Sequence, residues 1–331
     1  MGSTSKQGST ISVVIIGKDE GPRLTAGLQS IGANVPVVYV DSGSSDGSVD
    51  AARALGAEIV ELDLSKPFTA ARARNAGLDK LRQLGPPEFV QFIDGDCTLA
   101  PGWLEAAEAY LCEHCDVGVV CGRRREKFPE ATIYNRLTDR EWDTPIGETD
   151  ACGGDALMRW AALDTVGGYD PALIAGEEPE LCLRLRTAGW KIYRLDVEMT
   201  GHDIAMTSLG QWLKRARRAG HAFAEVSTMH RDKPERIWHR ETLRALLWSG
   251  FGAAIIISGL IIHPIFLLGL GLYPLQVMRM ALREKPVTRE GVIHSFLILL
   301  QKPWEAAGII QYWMGGSRLI EYKKQAESGD A

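Results

Sequence analysis

The sequence predicts an α/β fold with a largely parallel sheet, continued by a C-terminal membrane-associated helical region. Three observations carry this. Uninterrupted apolar runs, such as residues 11–16 and 89–93, alternate with amphipathic stretches, the pattern of strands covered on both faces by crossover helices. Charged residues follow those runs directly, where open α/β sheets bind their ligands. Further along, residues 245–278 form a 34-residue stretch without a charge.

With 331 residues, 45% hydrophobic and 24% charged, the chain has the composition of a folded protein of about two domains, not of a disordered or fibrous one. A net charge of −5 argues against a broadly basic nucleic-acid binder, and no nucleic-acid partner is expected. The first ten residues are polar and lack the apolar core of a signal peptide, so none is expected.

The first strand is expected over 11–16, followed by Gly17-Lys18-Asp19-Glu20 and a helix from about Pro22, whose fixed φ suits a first turn. A second strand over 35–40, entered through Pro36, ends at Asp41-Ser42-Gly43-Ser44-Ser45-Asp46-Gly47. A helix over 48–55 leads to a strand at 58–62, and a helix over 70–84 to a strand at 89–93. That strand stops at Asp94-Gly95-Asp96. Asp-Gly-Asp is an ordinary turn sequence. It also sets two hard oxygen donors beside a cleft, the chemistry of a Mg²⁺ or Mn²⁺ ion carrying a diphosphate. Lys18, Asp41, Asp46 and Asp94 all fall at strand carboxyl ends, which favours the site. Arg72 and Arg74 offer planar guanidinium groups for phosphate or carboxylate. Two positions apart on a helix they share no face, so only one is expected to point into the cleft.

Taken in order, the 41–47 segment, Ala71-Arg72-Ala73-Arg74-Asn75-Ala76-Gly77 and Ile93-Asp94-Gly95-Asp96 resemble the family 2 glycosyltransferases of the GT-A fold over about residues 11–205. The resemblance implies a nucleotide-sugar donor, a UDP-sugar. Asp41 would contact the base, Lys18 and Glu20 would lie near the nucleoside, and Asp46, Arg72, Arg74, Asn75 and Asp94 complete the donor set. Asp96 and Asp94 would hold the metal, with Asp96 the direct ligand. Most relatives carry Asn before the acid matching Glu20, where this chain has Asp19.

Beyond the metal motif a helix is expected over 103–115 and a strand over 117–121. A basic loop, Arg123-Arg124-Arg125, then either meets phosphate or is a solvated charge run. Cys152-Gly153-Gly154-Asp155 resembles the family's acceptor segment, whose glycines admit a sugar closely; Gly153, Gly154, Asp155 and Glu177 are the expected acceptor contacts. Gly176-Glu177-Glu178-Pro179-Glu180-Leu181 resembles the segment whose second acid takes the acceptor's proton, which makes Glu178 the candidate catalytic base. Crowded carboxylates raise at least one pKa, although acids also favour a helix N-terminus through its dipole. After a strand over 191–195, His202 in a loop either completes the metal shell or is structural.

Residues 206–244 are expected to form basic amphipathic juxtamembrane helices, carrying Lys214, Arg215, Arg217 and Arg218. Residues 245–278 then read as a transmembrane or re-entrant hairpin turning at His263-Pro264. The alternative is a hairpin packed in a soluble core. Residues 279–331 suit interfacial helices and a polar tail, with Trp304, Tyr312 and Trp313 at headgroup level. Basic flanks on both sides place the catalytic domain on the cytoplasmic face of the membrane, where the six cysteines stay reduced. Cys112-Glu-His-Cys115 lacks the second half of a zinc pattern.

The expected function is an inverting, metal-dependent glycosyl transfer to a lipid-linked saccharide in exopolysaccharide or cell-surface glycan synthesis. Two rivals remain. A nucleotidyltransferase needs a glycine-rich phosphate loop after the first strand, and Gly17-Lys18-Asp19-Glu20 is too short for one. An inactive scaffold has no need of Asp94, Asp96 and Glu178.

Overall fold

A computed structural model describes residues 10–315. The chain divides into two compact units, Met1–Ala205 and Met206–Ala331.

In the first unit, β1 (Ile11–Gly17), α1 (Pro22–Ile31), β2 (Val37–Asp41), α2 (Ser48–Ala54), β3 (Glu58–Glu61), α3 (Ala70–Leu84) and β4 (Phe89–Asp94) build a parallel half-sheet in the order β3-β2-β1-β4. Pro36 stays outside β2: it has no N–H for the ladder, though its carbonyl accepts from Val13 at 2.9 Å. Gly17 pairs with Asp41 and Ile16 with Asp94, so three neighbouring strands end at one level. Val13, Val14, Ile15, Phe92 and Ile93 are fully buried between the helix layers. Gly77 seats α3 on β1, since a Cβ there would collide with Val14. Arg74, three residues earlier on the same helix face, is thereby held over the strand ends.

The remainder of the sheet is mixed. It runs β5 (Cys97–Leu99), α4 (Trp103–Glu113), β6 (Val117–Glu126), α5 (Ile133–Glu141), β7 (Gly147–Glu148), β8 (Ala156–Arg159), α6 (Trp160–Val166), α7 (Glu177–Thr187) and β9 (Lys191–His202). β8 is antiparallel to β4 and β6, β6 is parallel to β9, and β5 and β7 pair antiparallel with β9. Two expectations are corrected here. Arg123-Arg124-Arg125 is not a loop but the end of β6, and His202 closes β9, paired with Cys97, instead of lying in a loop.

The second unit is helical: α8 (Leu209–Met229), α9 (His239–Ile261), a 3₁₀ segment (Pro264–Gly271), α10 (Leu272–Ala281), α11 (Arg289–Leu300) and α12 (Lys302–Trp313). Ser208 and Gln211 cap α8 reciprocally. Gly220 and Gly308 let the backbones of α8 and α12 touch, since a Cβ at either would overlap Glu305 O or Arg217 O. α12, expected at an interface, thus packs on α8 with Ile309 buried, while Trp304 and Trp313 stay exposed. His239–Ile261 and Pro264–Ala281 are long and apolar enough to cross a membrane, and the chain reverses at His263-Pro264. The first begins before residue 245 and includes Arg240, Glu241 and Arg244. The expected polar tail lies largely outside the described residues.

Candidate active site

The ends of β1 and β2 form a loop frame. Asp41 Oδ1 accepts from the Tyr39 hydroxyl at 2.9 Å, and Oδ2 accepts from Gly43 N and Ser44 N at 2.8 and 2.9 Å. Asp46 Oδ1 accepts from Ser48 N and Oγ, tying the loop to the start of α2. Asp19, with φ of 51°, accepts from Ser45 N at 2.7 Å. Glu20 is buried and pairs with Arg23 at 2.7 Å, and Lys18 is half-buried beside it. The carboxylates proposed to meet a nucleoside thus also shape the loop that would hold it.

Beside this frame lies a charged cluster centred on Asp94. Gly95 permits the turn because a Cβ would sit 2.9 Å from Glu20 Cγ and 3.1 Å from Ile16 O. Asp94 Oδ1 accepts from Arg74 Nη2 at 2.9 Å and Oδ2 from Arg124 Nη2 at 3.1 Å. Arg74 also donates to Glu177 Oε1 at 2.7 Å and lies over the Tyr169 ring. Burial raises the Asp94 pKa, against the pull of Arg74 and Arg124. Arg72, the other helix arginine, turns away to the carbonyls of Asp63, Lys66 and Pro67 and does not join the cluster. Asn75 brackets Tyr169, donating to its carbonyl and accepting from its N–H at 2.7 and 2.9 Å, so its amide is spent on placing that ring.

Arg124 also binds Asp155 Oδ2 through Nε at 2.9 Å, and Thr200 donates to the same oxygen at 2.7 Å. Asp155 is 1% exposed. Expected at the acceptor, it is instead a buried brace behind Asp94, accepting from the Asp94 N–H at 3.2 Å. Glu177 likewise holds Arg74 and is buried, not open to an acceptor.

Asp96 and His202 meet at the β5–β9 pairing, with His202 Nε2 3.3 Å from Asp96 Oδ1. Burial pushes the Asp96 carboxyl up, but His202, Arg124 and Arg23 outweigh it and hold it well below the usual carboxylate range. Trp142 stands edge-on to His202 with ring centres 4.9 Å apart, and Arg124 lies over the same indole at 5.1 Å. Adjacent ligands of an octahedral cation with bonds of about 2.1 Å lie about 3 Å apart, so Asp96 and His202 fit one Mg²⁺ or Mn²⁺ ion. Cys97 also approaches, but soft thiolate sulfur is a poor match for Mg²⁺ or Mn²⁺, which favours oxygen and nitrogen as the donors. Cys112 and Cys115 are exposed and join no such group among the described residues.

Glu178 is the second residue of α7, which follows Gly176, whose φ is 82°. A Cβ on Gly154 would lie 3.1 Å from Asp94 Oδ2, 3.2 Å from Arg74 Nη2 and 3.4 Å from Glu178 Oε1, so this glycine keeps clear the space between those groups. Gly153, with φ of 80°, makes the exposed turn before it. Burial, then the charge of Glu177, lifts the Glu178 pKa from 4.5 to about 7. Glu180 is neutralised by Arg184 at 2.7 Å.

The profile described as "Glycosyl transferase family 2" matches residues 12–165. The chain carries a family 2 glycosyltransferase domain. A 210-residue stretch is 28% identical to the pre-mycofactocin glycosyltransferase of Mycobacterium tuberculosis, covering 60% of this chain and 43% of that one. A 177-residue match is 28% identical to the succinoglycan biosynthesis protein ExoA of Rhizobium meliloti, covering 49% of this chain and 52% of that one. The chain thus spans about half the length of the curated relatives it matches. Among solved structures, the mannosyltransferase PcManGT of Pyrobaculum calidifontis, in complex with GDP-Man and Mn²⁺, is similar at a TM-score of 0.64 and 17% identity over 92% of this chain and 87% of that one. The family 2 domain therefore has the GT-A fold.

Three members of the site escaped the sequence reading, Trp142, Tyr169 and Thr200, and a fourth, Arg124, was read only as the middle of a basic loop. In the first unit they come from the end of α5, the turn after α6, β9 and β6, and each acts on a residue at least 25 positions away. Only Arg124 carried a signal, as the middle of three arginines that alternate in direction along a strand. Arg123 pairs with Asp139 and Arg125 with Glu198, while Arg124 faces the site.

Proposed function

We propose that this chain is an inverting, metal-dependent glycosyltransferase. It moves a sugar from a nucleotide-sugar, a UDP-sugar in this reading, to a hydroxyl of a lipid-linked saccharide at the cytoplasmic face of a membrane. The similarity to ExoA supports a place in exopolysaccharide or cell-surface glycan synthesis, and the two apolar helical stretches support the membrane. The observation that carries the reading is a carboxyl poised near neutral pH, Glu178, facing Asp94 across a side-chain-free glycine.

Asp41 and the Ser42–Gly47 loop receive the base, and Lys18 and Glu20 lie beside the nucleoside. A divalent cation held by Asp96 and His202 would neutralise the diphosphate as it leaves. Arg74 and Arg124 fix Asp94 from two sides, so the turn keeps its shape as charge develops. Glu178 accepts the proton of the acceptor hydroxyl, whose oxygen bonds to the anomeric carbon as the bond to the diphosphate oxygen breaks on the opposite face. One displacement inverts the centre, and the nucleoside diphosphate carries away the electron pair of the broken bond.

The test is a screen of nucleotide-sugars with membranes containing the full chain, with Mn²⁺, Mg²⁺ or chelator, repeated for Asp96→Ala and Glu178→Gln. Transfer should need a divalent ion and fall in both variants. Transfer at the normal rate by Glu178→Gln means that another group is the base; donor binding unchanged in Asp96→Ala removes the metal assignment.

A further inference from the structure

The second unit carries an open apolar groove of about 730 Å³, walled by α9, α10, α11 and the start of α12, with Ile256, Met278 and Phe296 on its exposed side. Its hydroxyl and ammonium groups are already committed within the unit. The Tyr273 hydroxyl donates to Trp248 O at 2.6 Å, the Ser249 hydroxyl to Ala245 O at 2.6 Å, and Lys302 Nζ holds both oxygens of Glu305 at 3.0 and 2.7 Å. What remains is apolar surface from side chains such as Trp248, Ile256, Val277 and Phe296. A nucleotide or ion would find no uncompensated charge there, whereas a hydrocarbon needs no polar partner.

The groove is built into the packing. Near the reversal of the chain, Gly259 and Gly269 let Leu267 and Ile255 close in on the backbone, so that end is tight. Nearer the start of α9, Tyr273 sits in a notch at Gly252, where a Cβ would overlap its hydroxyl, and its ring braces Trp248 at 5.3 Å. These contacts fix α9 and α10 at a spacing that leaves room beside α11. An apolar groove of this size left open to water keeps its lining hydrated, and a hydrocarbon seated in it removes that surface from water.

We propose that this groove holds one hydrocarbon chain, the tail of the lipid that carries the acceptor; the choice of lipid rests on the acceptor reading given above. Its volume is that of a single-ligand pocket, which runs to roughly 300–1,000 Å³. Its walls include both stretches long and apolar enough to cross a membrane, so lipid is the ligand at hand.

The experiment uses the full chain in nanodiscs containing trace polyprenyl phosphate with a diazirine in its tail. A parallel arm carries a diazirine-tailed phosphatidylglycerol, and crosslinks are mapped by peptide mass spectrometry. Polyprenyl phosphate should label residues 252–256, 273–277 and 296–300 saturably, at one tail per chain. Ala253→Trp, which fills the groove, should cut that labelling at least tenfold, as should the gentler Val277→Phe. Ile257→Trp, on an exposed position outside the lining, should leave it unchanged. Labelling spread around α9 and indifferent to both filling variants, or equal labelling by phosphatidylglycerol, overturns the proposal. Transfer to a water-soluble saccharide is measured separately. Saturable tail labelling with transfer only to soluble saccharides would keep the groove as a tail site and remove the lipid-linked acceptor; transfer to lipid-linked saccharide with diffuse labelling would do the reverse.

Discussion

Glu178→Gln separates what one carboxyl does for stability from what it does for catalysis. Burial, then the charge of Glu177, raises Glu178 from 4.5 to about 7. Between those values the folded chain keeps a proton that the unfolded chain has released. The stability this group contributes is therefore full below pH 4.5 and is lost as pH rises through about 7. At about 1.4 kcal/mol per tenfold change in proton affinity, that gap sets a ceiling of about 3 kcal/mol. The side chain is partly exposed, which lowers the realised value. Glutamine does not titrate, so relative to the wild type the variant should gain stability between about pH 5 and 8. For a unit of this size the melting-temperature gap should widen by about 2–4 °C per kcal/mol. Catalysis moves the other way: wild-type transfer should climb with pH and level off above about 7, since only the ionised carboxylate accepts a proton. Glu178→Gln should lose about 10²–10⁴-fold. Thermal melts of both proteins in chelator across that pH range, with transfer assays at saturating donor, read both effects. A melting gap that ignores pH, with wild-type transfer equally flat, refutes the environment assigned to Glu178.

Asp96→Ala should weaken Mn²⁺ binding, followed by electron paramagnetic resonance, by tenfold or more, whereas Cys97→Ser should leave it nearly unchanged. Arg74→Ala leaves the buried Glu177 and the half-buried Asp94 without their shared partner and should destabilise the first unit by about 3–5 kcal/mol in denaturant unfolding. Gly154→Ala should melt near the wild-type temperature yet transfer poorly, because its methyl group enters the space between Asp94, Arg74 and Glu178. Asn75→Ala removes both hydrogen bonds to the Tyr169 backbone and should cost about 1–3 kcal/mol in the same unfolding measurement.

The parallel half of the sheet was legible because its strands are buried on both faces, leaving unbroken apolar runs such as Val13 to Ile16 that end in the charged loops. α3 was legible to the residue, since Thr69 accepts from Arg72 N at its start and Gly85 ends it. What the sequence hid was set by contacts between distant segments. β6 runs five residues past Cys121 into a charged stretch, and only its pairing with β9 makes Arg123-Arg124-Arg125 a strand. The choice between Arg72 and Arg74 was equally closed to local reasoning. It is made by Gly77, whose contact with Val14 fixes the rotation of α3. Asp155, read as an acceptor contact from its place after two glycines, is claimed by Arg124 and Thr200 from strands 31 and 45 residues away.

Charge balance indicates how the two motif aspartates divide their work. Asp94 lies between two guanidinium groups, and each of its oxygens already accepts from one of them. A cation placed on those oxygens would have to displace a buried arginine, or sit against it with like charge. Asp96 meets only the neutral-or-charged imidazole of His202 at ion-pair distance among the described residues. Its carboxyl stays ionised well below the ordinary range, so it offers negative charge at any working pH. Asp94 is thus suited to hold the turn in shape, and Asp96 to take the metal. Asp94→Asn should accordingly lower stability by leaving Arg74 with Glu177 alone and Arg124 with Asp155 alone, while sparing much of the Mn²⁺ affinity, and Asp96→Asn should do the opposite. Equal loss of metal binding in both variants would mean that the two carboxylates share the ion.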